Sequence, residues 1–275
     1  MNLKLGHISY LNCVPFFYHL RECGFAGEIV KGVPAELNRM LATGRIDLAP
    51  ASAWEYAVRP EDYILLPGHS ISSIGPVHSV LLFSPAPPEE LAGQTIALTG
   101  ESATSIHLLQ VLLERFYRQE QIKYEVPPGP VEDAVQAGQP TLLIGDRALQ
   151  ARKRWPELPF YDLGDMWWGK TGLPYVFALW IVRREVAEEH PGELSGFLSL
   201  LNRARELSSR HYLEIAYSLG DGQALTPEEI SAYWEQVSYD LSPDHLAGLQ
   251  RFWAECLKHG LLERLPEAKL FQPPT

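Results

Sequence analysis

Short apolar runs alternate with segments of helical period along the first two-thirds of the chain. Leu3–Ile8 reads as a strand, Val14–Cys23 as a helix and Glu28–Lys31 as a second strand. Pro34–Thr43 follows as a helix with Leu37, Met40 and Leu41 on one side. Gly44-Arg45-Ile46-Asp47-Leu48-Ala49-Pro50 turns into a buried strand. This βαβαβ order predicts a mostly parallel sheet covered by helices. Ser79–Ser84 (SVLLFS) is a further apolar strand, and the Pro85-Ala86-Pro87-Pro88 cluster after it is the clearest boundary. A second α/β unit comes next. Thr95–Leu98 is a strand, and Ser102–Gln119 is a helix with Ile106, Leu109, Leu113 and Phe116 along one side. Thr141–Gly145 (TLLIG) and Tyr175–Arg183 (YVFALWIVR) are two more buried strands. The segments Pro191–Ser209, Tyr212–Tyr217, Pro227–Val237 and Pro243–His259 form an almost purely helical tail.

The strands SVLLFS and YVFALWIVR bracket the middle unit. With both crossing between lobes, lobe one is residues 1–84 plus 180–275, and lobe two is the inserted segment 85–179. The expected architecture is an α/β two-lobe clamp, its ligand in the cleft and facing helix N-termini of both lobes. A single doubly wound domain is the alternative arrangement of the same strands.

The chain has 275 residues, 46% of them hydrophobic, enough for a sizeable core without staples. Its formal charge of −11 disfavours nucleic acid and anionic membrane as partners. An anionic small ligand stays compatible, because donors at a pocket decide that locally. Residues 2–12 show no basic run followed by an apolar core and a small-residue cleavage site, so no export signal is expected. No apolar segment is long enough to span a bilayer. The three cysteines, Cys13, Cys23 and Cys256, form no CxxC pair. A reduced, cytoplasmic setting is expected, without structural zinc.

Turns and loops carry the candidate chemistry. In Gly6-His7-Ile8-Ser9-Tyr10-Leu11-Asn12-Cys13-Val14-Pro15 a strand delivers Ser9, Tyr10 and Asn12 to the mouth of a helix, where unpaired backbone N–H groups point outward. An ordinary cap is the competing reading. Leu98-Thr99-Gly100-Glu101-Ser102-Ala103-Thr104-Ser105 is the best anion site. Thr99 ends the strand, and the three hydroxyls of Ser102, Thr104 and Ser105 crowd a helix start that would favour a carboxylate or phosphate; they exceed what capping requires, although an ordinary N-cap at Ser102 or Thr104 is the competing reading. Ser52, in the turn after the third strand, is placed to face the cleft, as are Gly145 and Asp146 in lobe two. Asp146 reads first as a helix cap. Ser73 and Ser79 are candidates to line the cleft, whereas Ser70 and Ser72 read as a solvated loop. Gly164–Pro174 reads as a loop at the cleft rim, with Trp167 or Trp168 against a ring-shaped ligand or in ordinary packing. The nine histidines show no metal spacing. No GxxxxGK[ST], GxSxG or GxGxxG motif follows the relevant strands, so no metal or nucleotide cofactor is expected.

The blocks GHISYLNCVPF, GRIDLAPASAWEY, SIGPVHSVLLFS, LTGESATSIHLL and LLIGDRAL resemble the chorismate dehydratases of the futalosine route to menaquinone. The resemblance runs from residue 4 to about residue 183 and rests on the ordered set. It implies a periplasmic-binding-protein-like (type II) fold with two crossing hinge strands and a helical C-terminal tail. It implies dehydration of chorismate to 3-[(1-carboxyvinyl)oxy]benzoate, with Asn12 as the key polar residue. Asn12 would either orient the enolpyruvyl side chain, so that the substrate's own carboxylate takes the proton, or assist the departing hydroxyl. The related dihydroxynaphthoate synthase is expected to carry a His-Glu pair after the strand reading LLIG and a PCPND-type first turn. Here Gly145-Asp146 and SYLNCVP stand in those places. A cytoplasmic binding protein for a small anion is the non-enzymatic alternative, and oligomeric state is not encoded in any of these features.

Overall fold

The computed structural model describes residues 2–220 and 223–274. In chain order the strands and helices are β1 (Lys4–Ile8), α1 (Val14–Phe17), β2 (Glu28–Gly32), α2 (Pro34–Ala42), β3 (Leu48–Ser52), α3 (Ala53–Val58), β4 (Tyr63–Ser73), β5 (Val80–Phe83), β6 (Thr95–Leu98) and α4 (Ala103–Gln110). They continue as β7 (Lys123–Glu125), α5 (Val131–Gln136), β8 (Thr141–Ile144), α6 (Gly145–Arg154), β9 (Phe160–Asp162), α7 (Leu163–Thr171) and β10 (Tyr175–Arg183). Five helices close the chain: α8 (Arg184–Glu189), α9 (Pro191–Ser209), α10 (Tyr212–Ser218), α11 (Pro227–Gln236) and α12 (Pro243–Lys258).

The chain divides into two compact units. The first is Met1–Ile71, Val176–Ser242 and Pro266–Thr275; the second is Ser72–Tyr175 and Pro243–Leu265. This division differs from the expected lobes in three stretches: 72–84 and 243–265 group with the second unit, and 176–179 with the first. The chain first passes between units within β4, not at Ser79–Ser84. The apolar run VLLF reflects a strand buried inside a sheet, since β5 pairs with β8 on one side and β9 on the other.

The first unit holds a five-stranded sheet in the order β2-β1-β3-β10-β4. β1 runs parallel to β2 and β3, and β10 is antiparallel to β3. β10 is buried along almost its whole length. Trp180 on it packs against Phe16, Phe17 and Phe197. β4 lies at the sheet edge, and its outer amides are covered by the tail. Leu65 N–H donates to the Lys269 carbonyl and Ser70 N–H to the Tyr239 carbonyl. Ser70 and Ser72 are therefore buried strand residues, not a solvated loop, and Ser73 is buried at the end of the same strand. Their polarity concealed the strand from a reading by apolar periodicity.

The second unit holds a sheet in the order β7-β6-β8-β5-β9, with β6 parallel to β7 and β8. The expected helix Ser102–Gln119 is α4 followed by a π-helical stretch, Val111–Phe116. Gly164–Pro174, expected as a loop, is largely helix α7. Asp162 caps it by accepting from the N–H groups of Gly164 and Asp165, and Gly172 ends it at φ +65°. Gly164 is required there, because a Cβ would lie 2.5 Å from Ser73 Oγ and 2.6 Å from the Gly75 carbonyl. Trp167 is fully buried against Phe116, Tyr175 and Phe252, so its ring serves the core; Trp168 is exposed. α12 packs here through Glu255, a buried carboxylate flanked by Arg115, Arg251 and Lys258.

The remaining helical tail follows the expected segments within a residue or two. The expected helix Val14–Cys23 is shorter. After Phe17 the backbone tightens, with Leu20 N–H bonding Phe17 O and Gly24 N–H bonding Arg21 O three residues back.

Candidate active site

Parallel strands that share a sheet release their carboxyl ends at one edge, and a ligand site is favoured where the strand order reverses. In the first unit that reversal lies between β1 and β3, because β2 flanks β1 on its other side. Ser9 and Asn12 follow β1, and Ser52 ends β3. Ser9 is exposed, with its N–H bonded to the Gly32 carbonyl. Ser52 caps α3 through the Trp54 N–H at 3.3 Å.

Asn12 sits in a single 3-10 turn, Leu11–Cys13, that runs into α1. Leu11 and Cys13 are buried on either side of it. The Leu11 carbonyl accepts a hydrogen bond from the buried Trp234 indole at 2.7 Å, which fixes the orientation of the turn. Neither Tyr10 nor Cys13, the residues at the two cap positions, makes a side-chain cap, and Asn12 occupies neither position. The capping account of Asn12 therefore falls. Its Oδ1 is buried and has no hydrogen-bond partner in the protein. Such an orphan acceptor costs about 1–3 kcal/mol, so its retention calls for a use.

The second unit repeats this geometry. Its order reverses between β6 and β8, with β7 outside β6. Thr99, Ser102, Thr104 and Ser105 follow β6; Gly145 and Asp146 follow β8. β5 is antiparallel to β8, so its amino end reaches the same edge, and Gly145 N–H donates to the Ser79 carbonyl at 2.7 Å. Gly145 takes φ +57°, a value that a side chain would resist. Asp146 lies inside the first turn of α6, whose cap position is Ile144, so the expected capping role is not the one observed. Ser102 caps α4 by accepting from Ser105 N–H, and the two hydroxyls lie 3.2 Å apart. Thr104 and Ser105 are buried at this helix start. Ser79 is buried, with its hydroxyl near the Val77 carbonyl at 3.5 Å. Two hydroxyls here are 1% exposed and have no hydrogen-bond partner in the protein: Ser73 and Thr99.

Two contributors to this edge escaped a reading from sequence. Asp162 accepts from the N–H groups of Val77 and His78 as well as from the start of α7, and so shapes the loop that leads to Ser79. Its capping position was not legible, because the segment that follows it reads as a loop and is a helix only in the structure. Arg147 binds Glu101 and Glu132, partners 46 and 15 residues away, for which no local pattern exists.

No histidine in the first sheet is suited to carry charge at neutral pH. Burial, with a smaller contribution from Lys31, lowers His7 to about 4, and its ring stacks on Phe17. Burial likewise lowers His69 to about 4, against a hydrogen bond with Asn202 that raises it. Both are neutral when folded and bind a proton near 6.5 when unfolded. Stability from them is full above pH 6.5 and is lost as pH falls toward 4. Thermal melts across that window are expected to decline with acid, and less steeply in His69→Gln; equal slopes would refute this.

Among the described residues no cluster of three or more His, Cys, Asp or Glu is arranged to hold a metal ion. No helix among them is long and apolar enough to cross a membrane.

The family described as menaquinone biosynthesis matches residues 3–258. The chain is 34% identical to the chorismate dehydratase of Thermus thermophilus, over 98% of both chains. It is 26% identical to the 1,4-dihydroxy-6-naphtoate synthase of the same organism, over 96% of this chain and 97% of the other. Among solved structures it is similar to the alkanesulfonate-binding protein SsuA of Xanthomonas axonopodis, bound to MOPS. That likeness has a TM-score of 0.72 at 18% identity, covers 98% of this chain and 96% of the other, and speaks to fold alone. On a periplasmic-binding-protein-like fold, the chain belongs to the menaquinone biosynthesis family.

Proposed function

We propose that the protein dehydrates chorismate to 3-[(1-carboxyvinyl)oxy]benzoate, a carbon–oxygen lyase reaction of menaquinone biosynthesis in the cytoplasm. The observation that carries the reading is the orphaned Asn12 amide oxygen, at the switch point of a chain closer in identity to a chorismate dehydratase than to a dihydroxynaphthoate synthase. Loss of the C3 proton and the C4 hydroxide yields one water and an aromatic ring, and aromatisation drives the step. The C3 proton is vinylogous to the ring carboxylate, so negative charge spreads onto that group as the proton departs. The protein's work is then positioning and charge stabilisation, for which hydroxyls, an amide and helix N–H groups suffice.

Asn12 is assigned to the reacting end of the substrate, where its amide both donates and accepts. Thr104 and Ser105, with Thr99 beside them, are assigned to a substrate carboxylate at the start of α4. Ser73 and Ser79 are assigned to the same edge.

The test is steady-state consumption of chorismate by purified wild-type protein and by a Thr104→Val/Ser105→Val variant. The wild type is expected to turn over many equivalents. The double variant is expected to lose roughly ten- to a hundredfold in kcat/KM, the worth of one hydroxyl–carboxylate bond of about 1.5–3 kcal/mol. Stoichiometric binding without consumption would favour a binding protein and end the enzymatic reading.

A further inference from the structure

The segment that carries the anion-binding hydroxyls also carries a carboxylate. Glu101 stands between Gly100 and the capping Ser102, a poor neighbour for a dicarboxylate. Arg147, on α6, addresses it. Arg147 Nε donates to Glu132 Oε1 at 2.7 Å and Nη2 to Glu132 Oε2 at 2.6 Å, a two-pronged grip on α5. That grip aims the remaining Nη1 at Glu101 Oε1, 3.0 Å away. All three side chains are about two-thirds or more buried, so solvent screens them only in part.

We propose that Arg147 is a positioning residue for substrate, held by Glu132, which draws the Glu101 carboxylate aside and offsets its charge at the anion-binding edge. The inference rests on the reading of that edge as a carboxylate site. It assigns Arg147 a role through Glu101 and no contact with the reacting atoms. The pairing also holds Glu132 ionised below the usual carboxylate range, chiefly through the Arg147 hydrogen bond, as a persistent ion pair requires.

A charge role and a plain tether make different predictions. Arg147→Gln is expected to raise KM for chorismate by roughly three- to tenfold with kcat largely kept. The rise is expected to shrink as salt approaches about 1 M, where the Debye length is near 3 Å. Adding Glu101→Gln to Arg147→Gln should return KM close to wild type, although both ends of the tether are then gone. Glu101→Gln alone should bind chorismate at least as well as wild type, and Arg147→Lys, which keeps charge but not the fork, should stay close to wild type. These last two variants serve if Arg147→Gln folds poorly. An unmoved KM in Arg147→Gln, or a double variant as weak as the single one, overturns the proposal. Wild-type protein that neither binds nor consumes chorismate removes the underlying reading instead, and this inference with it.

Discussion

Asn12→Ala is expected to lower kcat/KM for chorismate by roughly 10²–10³-fold, the usual cost of removing one preorganised polar group that stabilises developing charge. Its melting temperature should equal or exceed that of the wild type. The reason lies in the accounting of buried polar atoms. Oδ1 of Asn12 has no protein partner to lose, so deleting it removes an unsatisfied acceptor from the folded state. Activity and stability should thus move apart, as they do where a site is kept at the expense of stability. Asn12→Asp should also lose most activity. A carboxylate there has no donor to offer and would face a dianionic substrate across a poorly screened gap. Wild-type turnover in either variant would return Asn12 to a structural role.

Gly248→Ala is expected to have the largest effect on stability. Gly248 lies inside α12, where alanine would ordinarily favour the helix by about 1 kcal/mol. Here an added Cβ would stand 2.0 Å from the Pro174 carbonyl oxygen and 3.1 Å from its carbon. Backbone is the obstacle, so no rotamer change relieves it, and α12 must shift from Leu173–Pro174. A net loss of about 3 kcal/mol is expected, a fall in melting temperature on the order of 10 °C. The buried pairs of Tyr175 with Phe252 and Trp167 with Phe252 would loosen with it. A melting temperature at the wild-type value would refute so close an approach.

The apolar pattern disclosed the parallel strands and the tail helices because both bury one-sided or continuous hydrophobic surface. LAPAS, TLLI and YVFALWIVR announce interior strands, and the proline-started helices α9, α11 and α12 announce their own beginnings. β4 was hidden because its buried faces include Ser70, Ser72 and Ser73, and buried hydroxyls do not register as core. α7 was hidden because GDMWWG looks like a loop, although Gly164 is there to pass Ser73 closely. The place of α12 in the second unit was not legible, since it depends on contacts between Gly248 and Pro174, 74 residues apart. At the candidate site the hydroxyl clusters were legible as turn chemistry. Which of them are internally occupied, as Ser102 and Ser105 are, and which stand unpartnered, as Ser73 and Thr99 do, is a matter of packing. The ion pair that connects Arg147 to Glu101 and Glu132 is likewise a product of the fold.

The proposed reaction is an elimination across C3 and C4 of chorismate, carried out by this chain. The most direct measurement is a mass spectrum of the product formed from chorismate deuterated at C3, incubated with catalytic amounts of the purified protein. The expected product is lighter than the substrate by one water that includes the label, an undeuterated 3-[(1-carboxyvinyl)oxy]benzoate. Unchanged chorismate, or a product that keeps its deuterium, would contradict it.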